Sequence, residues 1–301
     1  MPELPEVETV KRDVAAVFLG RRLKHITVTG VRTVRRHPPG LLVALEGAKL
    51  AKVGRHGKYL LFDWDDGQVM VAHLRMSGQL LAAHPGDPLA THTHAVLSFS
   101  GGWDLRFVDP RTFGELFLAG PSTADDAAGS ARKQGPHGTH VATNGLSARG
   151  EAPLVRELEH LGPDALDVDQ PRLQAALSGR RAPLKSLLVD QRALAGIGNI
   201  YADEICFDAR LRPDRQGGSL GRADVKRLTS SVHTILQAAI VGRGSSLADE
   251  QYRDLQGEPG RFQLEHKVYG RLGLPCLRCG RQVQRARFGA KSAYFCSGCQ
   301  R

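Results

Sequence analysis

The chain has 301 residues, of which 41% are hydrophobic, and a formal net charge of +10 with a pI of about 9.7. This length predicts two domains rather than one. No stretch approaches the roughly 18 consecutive apolar residues of a transmembrane helix, and the acidic start MPELPEVETV is unlike a basic secretory signal. We therefore expect a cytoplasmic protein with no membrane partner, and the positive charge favours a polyanionic partner.

The first predicted element is a helix over residues 2–19, with an apolar side formed by Val7, Val10 and Val14. From residue 23 to about residue 118 the pattern changes to short alternating or apolar runs, such as HITVTGV and KYLLFDW, separated by turn sequences. These runs predict an antiparallel β-sandwich with the first helix packed on it.

Residues 121–150 are rich in Gly, Ala, Ser, Thr and Pro and lack periodicity, which predicts a linker or an insertion. Helical patterns follow, and a glycine-rich loop at 242–260 comes after them. The predicted helical segments are 153–161, 171–178, 183–194, 200–209 and 222–241. The fold class expected from this order is α+β with more than one domain.

The C-terminal segment, residues 261–301, contains nine Lys or Arg residues and one acid, which indicates a phosphate-binding element. Within it the cysteines follow the pattern Cys276-x2-Cys279-x16-Cys296-x2-Cys299. Two CxxC pairs at this spacing indicate a tetrahedral zinc site with a hairpin between the pairs. Disulfides are disfavoured in a cytosolic chain, and neither CxxC pair opens a βαβ unit as a redox motif would. We predict one structural Zn²⁺ ion.

The N-terminus allows two interpretations. An initiator Met before a small residue is normally removed, and Pro2 would then have a free secondary amine with a pKa of roughly 8. Such an amine could attack a sugar C1′ and form an iminium, with Glu3 and Glu6 in the same first turn. From the local pattern alone, the ordinary interpretation is a helix start with acids that complement the helix dipole.

Resemblance to a known family favours the catalytic interpretation. The blocks that carry it are MPELPEVETV (1–10), GRHGKYLLF (54–62), HLRMSGQL (73–80), DPRTFGEL (109–116), APLKSLLVDQRALAGIGNIYADE (182–204), GSSLADEQYRDLQGEPGRFQ (244–263), VYGRLGLPC (268–276) and the four-cysteine motif. They extend over nearly the whole chain, which is similar to the formamidopyrimidine-DNA glycosylase/endonuclease VIII family.

The resemblance implies a catalytic β-sandwich domain with a flanking helix at 1–120 and a linker at 121–150. A helix–two-turn–helix DNA-binding domain with a lesion-capping loop would follow at 151–260, and a β-hairpin zinc finger at 261–301. The implied activity is that of a bifunctional DNA glycosylase and abasic-site lyase of base excision repair. Its partner would be double-stranded DNA that contains oxidised bases or abasic sites. We expect a monomeric, nucleoid-associated cytoplasmic protein of bacterial type.

The resemblance also assigns catalytic roles. Pro2 would be the Schiff-base nucleophile, Glu3 the acid that protonates the opening deoxyribose, and Glu6 a supporting group. Lys58 would bind phosphate and assist β-elimination. Lys291 stands where the family usually has arginine, and lysine keeps the charge but loses the bidentate fork. This departure puts the δ-elimination step in doubt.

Several residues resemble the family's DNA contacts. Met76, Arg111 and Phe113 would fill the void left by an everted base, although hydrophobicity alone would place Met76 and Phe113 in a core. The other DNA-binding residues implied by the resemblance are His73, His92, Arg180, Lys185, Asn199 and Tyr201.

Three functions stay open at this level. The void-filling residues and the 244–263 loop resemble the branch that removes 8-oxoguanine and formamidopyrimidines. The alternatives are excision of oxidised pyrimidines, as in endonuclease VIII, and a drifted, non-catalytic zinc-finger DNA-binding protein.

Overall fold

The computed structural model describes residues 1–119, 155–247, 252–288 and 291–301. The predicted linker at 121–150 lies outside the described residues, as does part of the predicted lesion-capping loop. Within the described ranges, no helix combines the length and the hydropathy that crossing a bilayer requires.

Helix α1 (Leu4–Phe18) confirms the first predicted element, but it begins two residues later than predicted. Glu3 has an extended backbone (φ −103°, ψ −171°) and is the N-cap residue, so it stands outside the helix. The predicted apolar side is buried, and it ends at Phe18, whose ring centroid lies 4.9 Å from that of Phe99. The helix therefore packs on the sandwich core as expected.

The sandwich consists of two four-stranded antiparallel sheets. The strands are β1 (Leu23–Val28), β2 (Leu50–His56), β3 (Tyr59–Trp64), β4 (Val69–His73), β5 (Gln79–Ala83), β6 (Thr93–Phe99), β7 (Trp103–Val108) and β8 (Glu115–Ala119). One sheet has the order β1-β6-β7-β5 and the other β2-β3-β4-β8. Phe62, Phe107 and Leu60 are fully buried in the core that the sheets share with α1. The predicted antiparallel sandwich is confirmed.

The helical domain contains α2 (Gln170–Leu177), α3 (Leu184–Leu188), α4 (Asn199–Asp208) and α5 (Arg222–Val241). Three of these match predicted segments to within a residue. The described part of 153–161 contains only a single 3-10 turn, Arg156–Leu158, so that helix prediction was wrong. Its backbone hydrogen bonds join residues three apart, from Leu158 to Val155 (2.8 Å) and from Leu161 to Leu158 (2.9 Å).

The prediction of a helix over 183–194 was wrong beyond α3. Past Leu188 the chain turns, and the side chain of Gln191 replaces helical hydrogen bonds. Its amide donates to the carbonyls of Val189 (2.8 Å) and Ile197 (2.9 Å) and accepts from the backbone of Gly196 (2.9 Å). A local side-chain hydrogen bond to the backbone therefore competes with helix propagation.

The C-terminal module is a hairpin of β9 (Gln284–Phe288) and β10 (Lys291–Phe295) beside the cysteines. Two consecutive acids of α4 attach it to the helical domain. Asp203 accepts from the backbone of Tyr294 (2.9 Å), and Glu204 accepts from the three backbone amides of residues 267–269. The helical domain and the hairpin module thus match the α+β class that was predicted.

A buried arginine joins the sandwich to the helical domain. Arg55, at the end of β2, lies 2.9 Å from Glu8 of α1 and 2.5 Å from Asp164 of the helical domain. The side chains of all three are less than a tenth exposed. Asp164 also accepts from the backbone of Gly57 (2.7 Å), so it binds the turn that follows β2.

Replacing Arg55 by Met should lower the free energy of unfolding by about 3 kcal/mol, because Asp164 and Glu8 stay buried without their guanidinium. Urea denaturation measures this loss. Arg12→Met is the matched control: Arg12 lies 2.8 Å from the same Glu8 but is 55% exposed, and its loss should cost less than about 1 kcal/mol. Equal losses in the two variants would contradict the prediction.

Candidate active site and metal centre

The carboxylate of Glu3 lies against the N-terminus of α4, although Glu3 itself precedes α1. It accepts hydrogen bonds from the backbone amides of Gly198 (2.7 Å), Ile200 (3.0 Å) and Tyr201 (3.4 Å). The first turn of a helix offers unpaired amides and partial positive charge, which stabilise a buried carboxylate. Gly198 is required here, because a Cβ would lie 2.2 Å from the carboxyl carbon of Glu3. The adjoining Pro2 is also buried. The backbone of Leu4 donates to the carbonyl of Gly196 (3.0 Å), so the N-terminal residues lie where the sandwich meets the helical domain.

Glu6 is fully buried one helical turn beyond Glu3. One carboxylate oxygen accepts from the backbone of Glu3 (2.7 Å), and the other accepts from the backbone of Ser245 (2.7 Å) and from the hydroxyl of Tyr201. Burial and the neighbouring Glu3 carboxylate raise the pKa of Glu6 to about 7. Glu6 can therefore take up or release a proton near neutral pH, close to the terminus.

A chain of buried hydrogen bonds leads away from Glu6. The hydroxyl of Tyr201 lies 3.3 Å from the hydroxyl of Ser245, which lies 3.1 Å from Nε2 of His266. Burial lowers the pKa of His266 to about 4, so its imidazole is neutral at physiological pH. The side chain of Tyr201 is fully buried, and its hydroxyl contacts Glu6 and Ser245, so its DNA contact stays a prediction.

Lys58 lies at the turn between β2 and β3, directly after Gly57, whose φ is +56°. The turn packs on the helical domain, since a Cβ on Gly57 would lie 3.0 Å from that of Ala195. Lys58 itself is only 6% exposed. It lies near His73, where burial and the charges of Arg75 and Lys58 hold the imidazole pKa well below its usual range. A phosphate contact by His73 would therefore depend on a hydrogen bond rather than on charge.

Met76, Arg111 and Phe113 form an exposed group on two neighbouring loops of the sandwich. Met76 is 40% and Phe113 is 44% exposed, whereas hydrophobicity alone would place both in a core. The guanidinium carbon of Arg111 lies 5.6 Å from the ring centroid of Phe113. The two loops are joined by a hydrogen bond of 2.5 Å from the Ser77 hydroxyl to Asp109. We call these three side chains the wedge.

The remaining predicted DNA contacts are separated in the structure. His92 is exposed, with a φ of +68°, and its carbonyl accepts from the backbone of Asp109 beside the wedge (3.0 Å). Asn199 is exposed in the first turn of α4, and Arg180 is exposed in the loop before α3. All three side chains are accessible to a ligand.

Lys185, another predicted DNA contact, is buried. Its ammonium lies 2.7 Å from Asp203 and donates to the backbone carbonyl of Ser292 in β10. Lys185 thus helps to hold the hairpin on the helical domain.

The four C-terminal cysteines lie together at the base of the hairpin. Their sulfurs are all within 4.8 Å of one another, with 3.8 Å between Cys276 and Cys299 and 3.4 Å between Cys279 and Cys296. Zn–S bonds of about 2.3 Å in a tetrahedron require sulfur separations of about 3.8 Å, so these residues fit a zinc ion. The backbone of Arg278 donates to the sulfur of Cys276 (3.4 Å). A four-sulfur set leaves no open position, so the ion is structural.

Family models match most of the chain. One described as the formamidopyrimidine-DNA glycosylase N-terminal domain matches residues 1–116, and one described as the H2TH domain of that enzyme matches 161–250. A third, a zinc finger found in FPG and IleRS, matches 273–301. The formamidopyrimidine-DNA glycosylase of Moorella thermoacetica is 39% identical over 95% of each chain, and that of Heliobacterium modesticaldum is 39% identical over the whole of both. The chain belongs to the formamidopyrimidine-DNA glycosylase family.

Solved structures of this family have the same fold. The MutM (Fpg) protein of Thermus thermophilus superposes with a TM-score of 0.78 at 36% identity, over 99% of this chain and 98% of that chain. A complex between the Lactococcus lactis Fpg and DNA containing an abasic site superposes with a TM-score of 0.80 at 29% identity, over 99% of both chains.

This member of the formamidopyrimidine-DNA glycosylase family carries Lys291 at the first position of β10, opposite Phe288 of β9. Lys291 is exposed at the end of the hairpin, so its ammonium can reach a ligand. Lysine presents a compact charge on a flexible stem where arginine would present a planar fork.

Several residues that organise the site were not predicted from the sequence. Ser245 lies inside a block that was recognised, but nothing local indicated that its amide binds Glu6. His266, Asp164 and Asp203 gave no signal, since the contacts of Asp164 and Asp203 join residues about a hundred positions apart. A buried partner of this kind cannot be read from local periodicity.

The pKa of Glu6 predicts how stability depends on pH. The ordinary value is 4.5 and the folded value is about 7, so between these values the folded chain binds more protons than the unfolded chain. The contribution of Glu6 to stability is therefore present below about pH 4.5 and is lost as the pH rises through about 7. In Glu6→Gln, the fall in unfolding free energy across this window should be smaller than in the wild type, as measured by urea denaturation at several pH values.

The control for this measurement is Glu159→Gln, which removes an exposed carboxylate. It should leave the slope of stability against pH unchanged. A Glu6→Gln variant with the wild-type slope would show that Glu6 does not titrate in this window.

Proposed function

We propose that the protein is a bifunctional DNA glycosylase and abasic-site lyase that removes oxidised purines, namely 8-oxoguanine and formamidopyrimidines, from duplex DNA. The observation that carries this proposal is the placement of Pro2 and Glu3 where the two domains meet, with Glu3 held by the amides of α4. The names of the relatives support the lesion class, and so do solved complexes of Lactococcus lactis Fpg with DNA that contains Fapy-dG.

The reaction begins at the terminal amine. Removal of Met1 frees the secondary amine of Pro2, whose nitrogen attacks C1′ of the lesion nucleotide while the glycosidic bond to the base breaks. The departing base takes up a proton as it leaves. The proton that the amine loses after bonding to C1′ passes through Glu3 to the ring oxygen as the C1′–O4′ bond opens, so that an iminium forms between nitrogen and C1′. Loss of a C2′ proton then drives expulsion of the 3′ phosphate, which is β-elimination. Glu6 lies one turn away and exchanges a proton near neutral pH.

The wedge and the basic groups would act before this chemistry, in DNA binding and base eversion. Everting a base leaves a hole in the duplex at a cost of a few kcal/mol, and the exposed Met76 and Phe113 are suited to fill it. Arg111 can hydrogen-bond the orphaned base. Lys58 and the exposed side chain of Asn199 would bind phosphates.

The zinc site would hold the basic hairpin on the DNA. The exposed arginines Arg285 and Arg287 lie on β9, next to the strand that begins with Lys291. Clustered positive charge of this kind neutralises phosphates and makes binding depend on salt.

Borohydride trapping tests the nucleophile. The wild type, incubated with an 8-oxoguanine duplex and borohydride, should give a covalent protein–DNA adduct, because the iminium is reduced to a stable amine. An N-terminal extension that turns the nitrogen of Pro2 into an amide should abolish the adduct, since an amide is not nucleophilic. Pro5→Ala, which changes another proline of the first turn, should keep it.

The same assay separates the competing functions. No wild-type adduct on any lesion duplex would favour a non-catalytic DNA-binding protein. Faster excision of thymine glycol than of 8-oxoguanine would assign the protein to the oxidised-pyrimidine branch.

Lys291→Arg tests the final elimination step. If the arginine fork favours δ-elimination, this variant should convert more of the β-product into the δ-product, as measured on a denaturing gel of end-labelled abasic DNA. Lys267→Arg makes the same chemical change at another exposed position of the C-terminal module and should leave the product ratio unchanged. Unchanged ratios in both variants would remove the doubt attached to Lys291.

A further inference from the structure

The wedge is built on strained backbone. Thr112 lies between Arg111 and Phe113 with a φ of +54°, and Arg75, next to Met76, also has a φ of +54°. Residues other than glycine rarely adopt this left-handed conformation, so the surrounding structure must hold both turns in place.

One set of holding contacts lies inside the sandwich. Asp109 is fully buried and accepts from the hydroxyl of Ser77 (2.5 Å), the backbone of Gly114 (2.7 Å) and the backbone of Arg111 (3.3 Å). It therefore joins the turn that carries Met76 to the loop that carries the other two wedge residues.

A second set of contacts comes from Arg35, in the segment after β1. Its Nη2 donates to the carbonyls of Thr112 (3.0 Å), Phe113 (2.8 Å) and Gly114 (3.0 Å), while its Nε donates to the carbonyl of Arg32 (2.6 Å). One guanidinium thus binds three consecutive carbonyls of the wedge loop. Its donors are directed at the protein's own backbone.

The segment around Arg35 is itself fixed to the strand that follows the wedge loop. The backbone of Leu116 donates to the carbonyl of Thr33 (2.8 Å), and the backbone of Leu118 donates to Nε2 of His37 (2.8 Å). The residues on both sides of Arg35 are therefore hydrogen-bonded to β8, and Arg35 contacts the loop from this fixed segment.

Arg36 extends this support to the second turn. It lies 2.9 Å from Glu115, which lies 3.3 Å from Arg75 beside Met76, and its guanidinium carbon stands 3.6 Å from the ring centroid of Phe117. We call residues 33–37 the brace.

We propose that Arg35, at the centre of the brace, is a positioning residue for base eversion, which holds the backbone of residues 112–114 so that Arg111 and Phe113 are in place before the duplex is opened. The inference rests on the proposed function, because that function supplies the duplex that the wedge would enter. A loop that is already ordered loses less conformational entropy on insertion than one that must order at that moment. Arg35 should therefore matter only when a stacked base has to be displaced.

The test compares Arg35→Leu with Arg32→Leu. Both changes remove one positive charge from the same exposed segment, so a general effect on DNA attraction is matched. Each variant is assayed for single-turnover excision of 8-oxoguanine from a duplex and for cleavage of a single-stranded oligonucleotide with a preformed abasic site, which needs no eversion. A 2-aminopurine next to the lesion reports unstacking by its fluorescence.

Arg35→Leu should slow duplex excision and the 2-aminopurine rise by about tenfold, because it removes the Nη2 hydrogen bonds that position the loop. Its cleavage of the single strand should equal that of the wild type, and Arg32→Leu should be normal in both assays. Arg35→Lys, which keeps a donor, should recover part of the duplex rate.

Two results would overturn the inference alone: duplex excision equal in Arg35→Leu and Arg32→Leu, or an equal loss on duplex and single-stranded substrates. A wild-type protein that excises nothing from any lesion duplex would instead overturn the proposed function and the inference with it. The two failures are therefore distinguishable.

Discussion

The contact on which the rest of the structure depends is the carboxylate of Glu3 on the N-terminal amides of α4. Taking a carboxylate out of water is unfavourable unless hydrogen bonds and charge replace the solvent, and the first turn of α4 supplies both. The same helix holds the C-terminal module through Asp203 and Glu204 in its middle. A helix of ten residues thus attaches the N-terminus, the sandwich and the zinc hairpin to one another.

Two carboxylates one turn apart therefore have different environments. Glu3 is surrounded by helix amides, whereas Glu6 shares its buried space with Glu3 and keeps a proton up to about neutral pH. Burial beside a second carboxylate thus makes Glu6 the proton-exchanging group of this pair. Tyr201 and Ser245 keep Glu6 in place.

Hydrophobic periodicity and cysteine spacing predicted the parts of the fold that residues close in sequence determine. Runs of alternating apolar residues predicted the sandwich, and the apolar side with three valines predicted α1. The cysteine spacing predicted a metal site, whose sulfurs lie within 4.8 Å of one another. The features that were missed have the opposite cause: Gln191 ends a predicted helix through its side chain, and Asp203 accepts a hydrogen bond from the backbone of Tyr294, 91 residues away. Met76 and Phe113 of the wedge are a third case, because they are exposed although they are hydrophobic. Only the family resemblance predicted them as DNA contacts.

The bond between Glu3 and Gly198 joins positions 195 residues apart, and this separation governs when the site can form. Domains generally fold as units, N-terminal first, during synthesis, and contacts of high sequence separation form late. The sandwich can therefore fold on the ribosome while its first residues have no helix to bind. Glu3 is therefore synthesised long before α4 and is among the last residues to reach its final position.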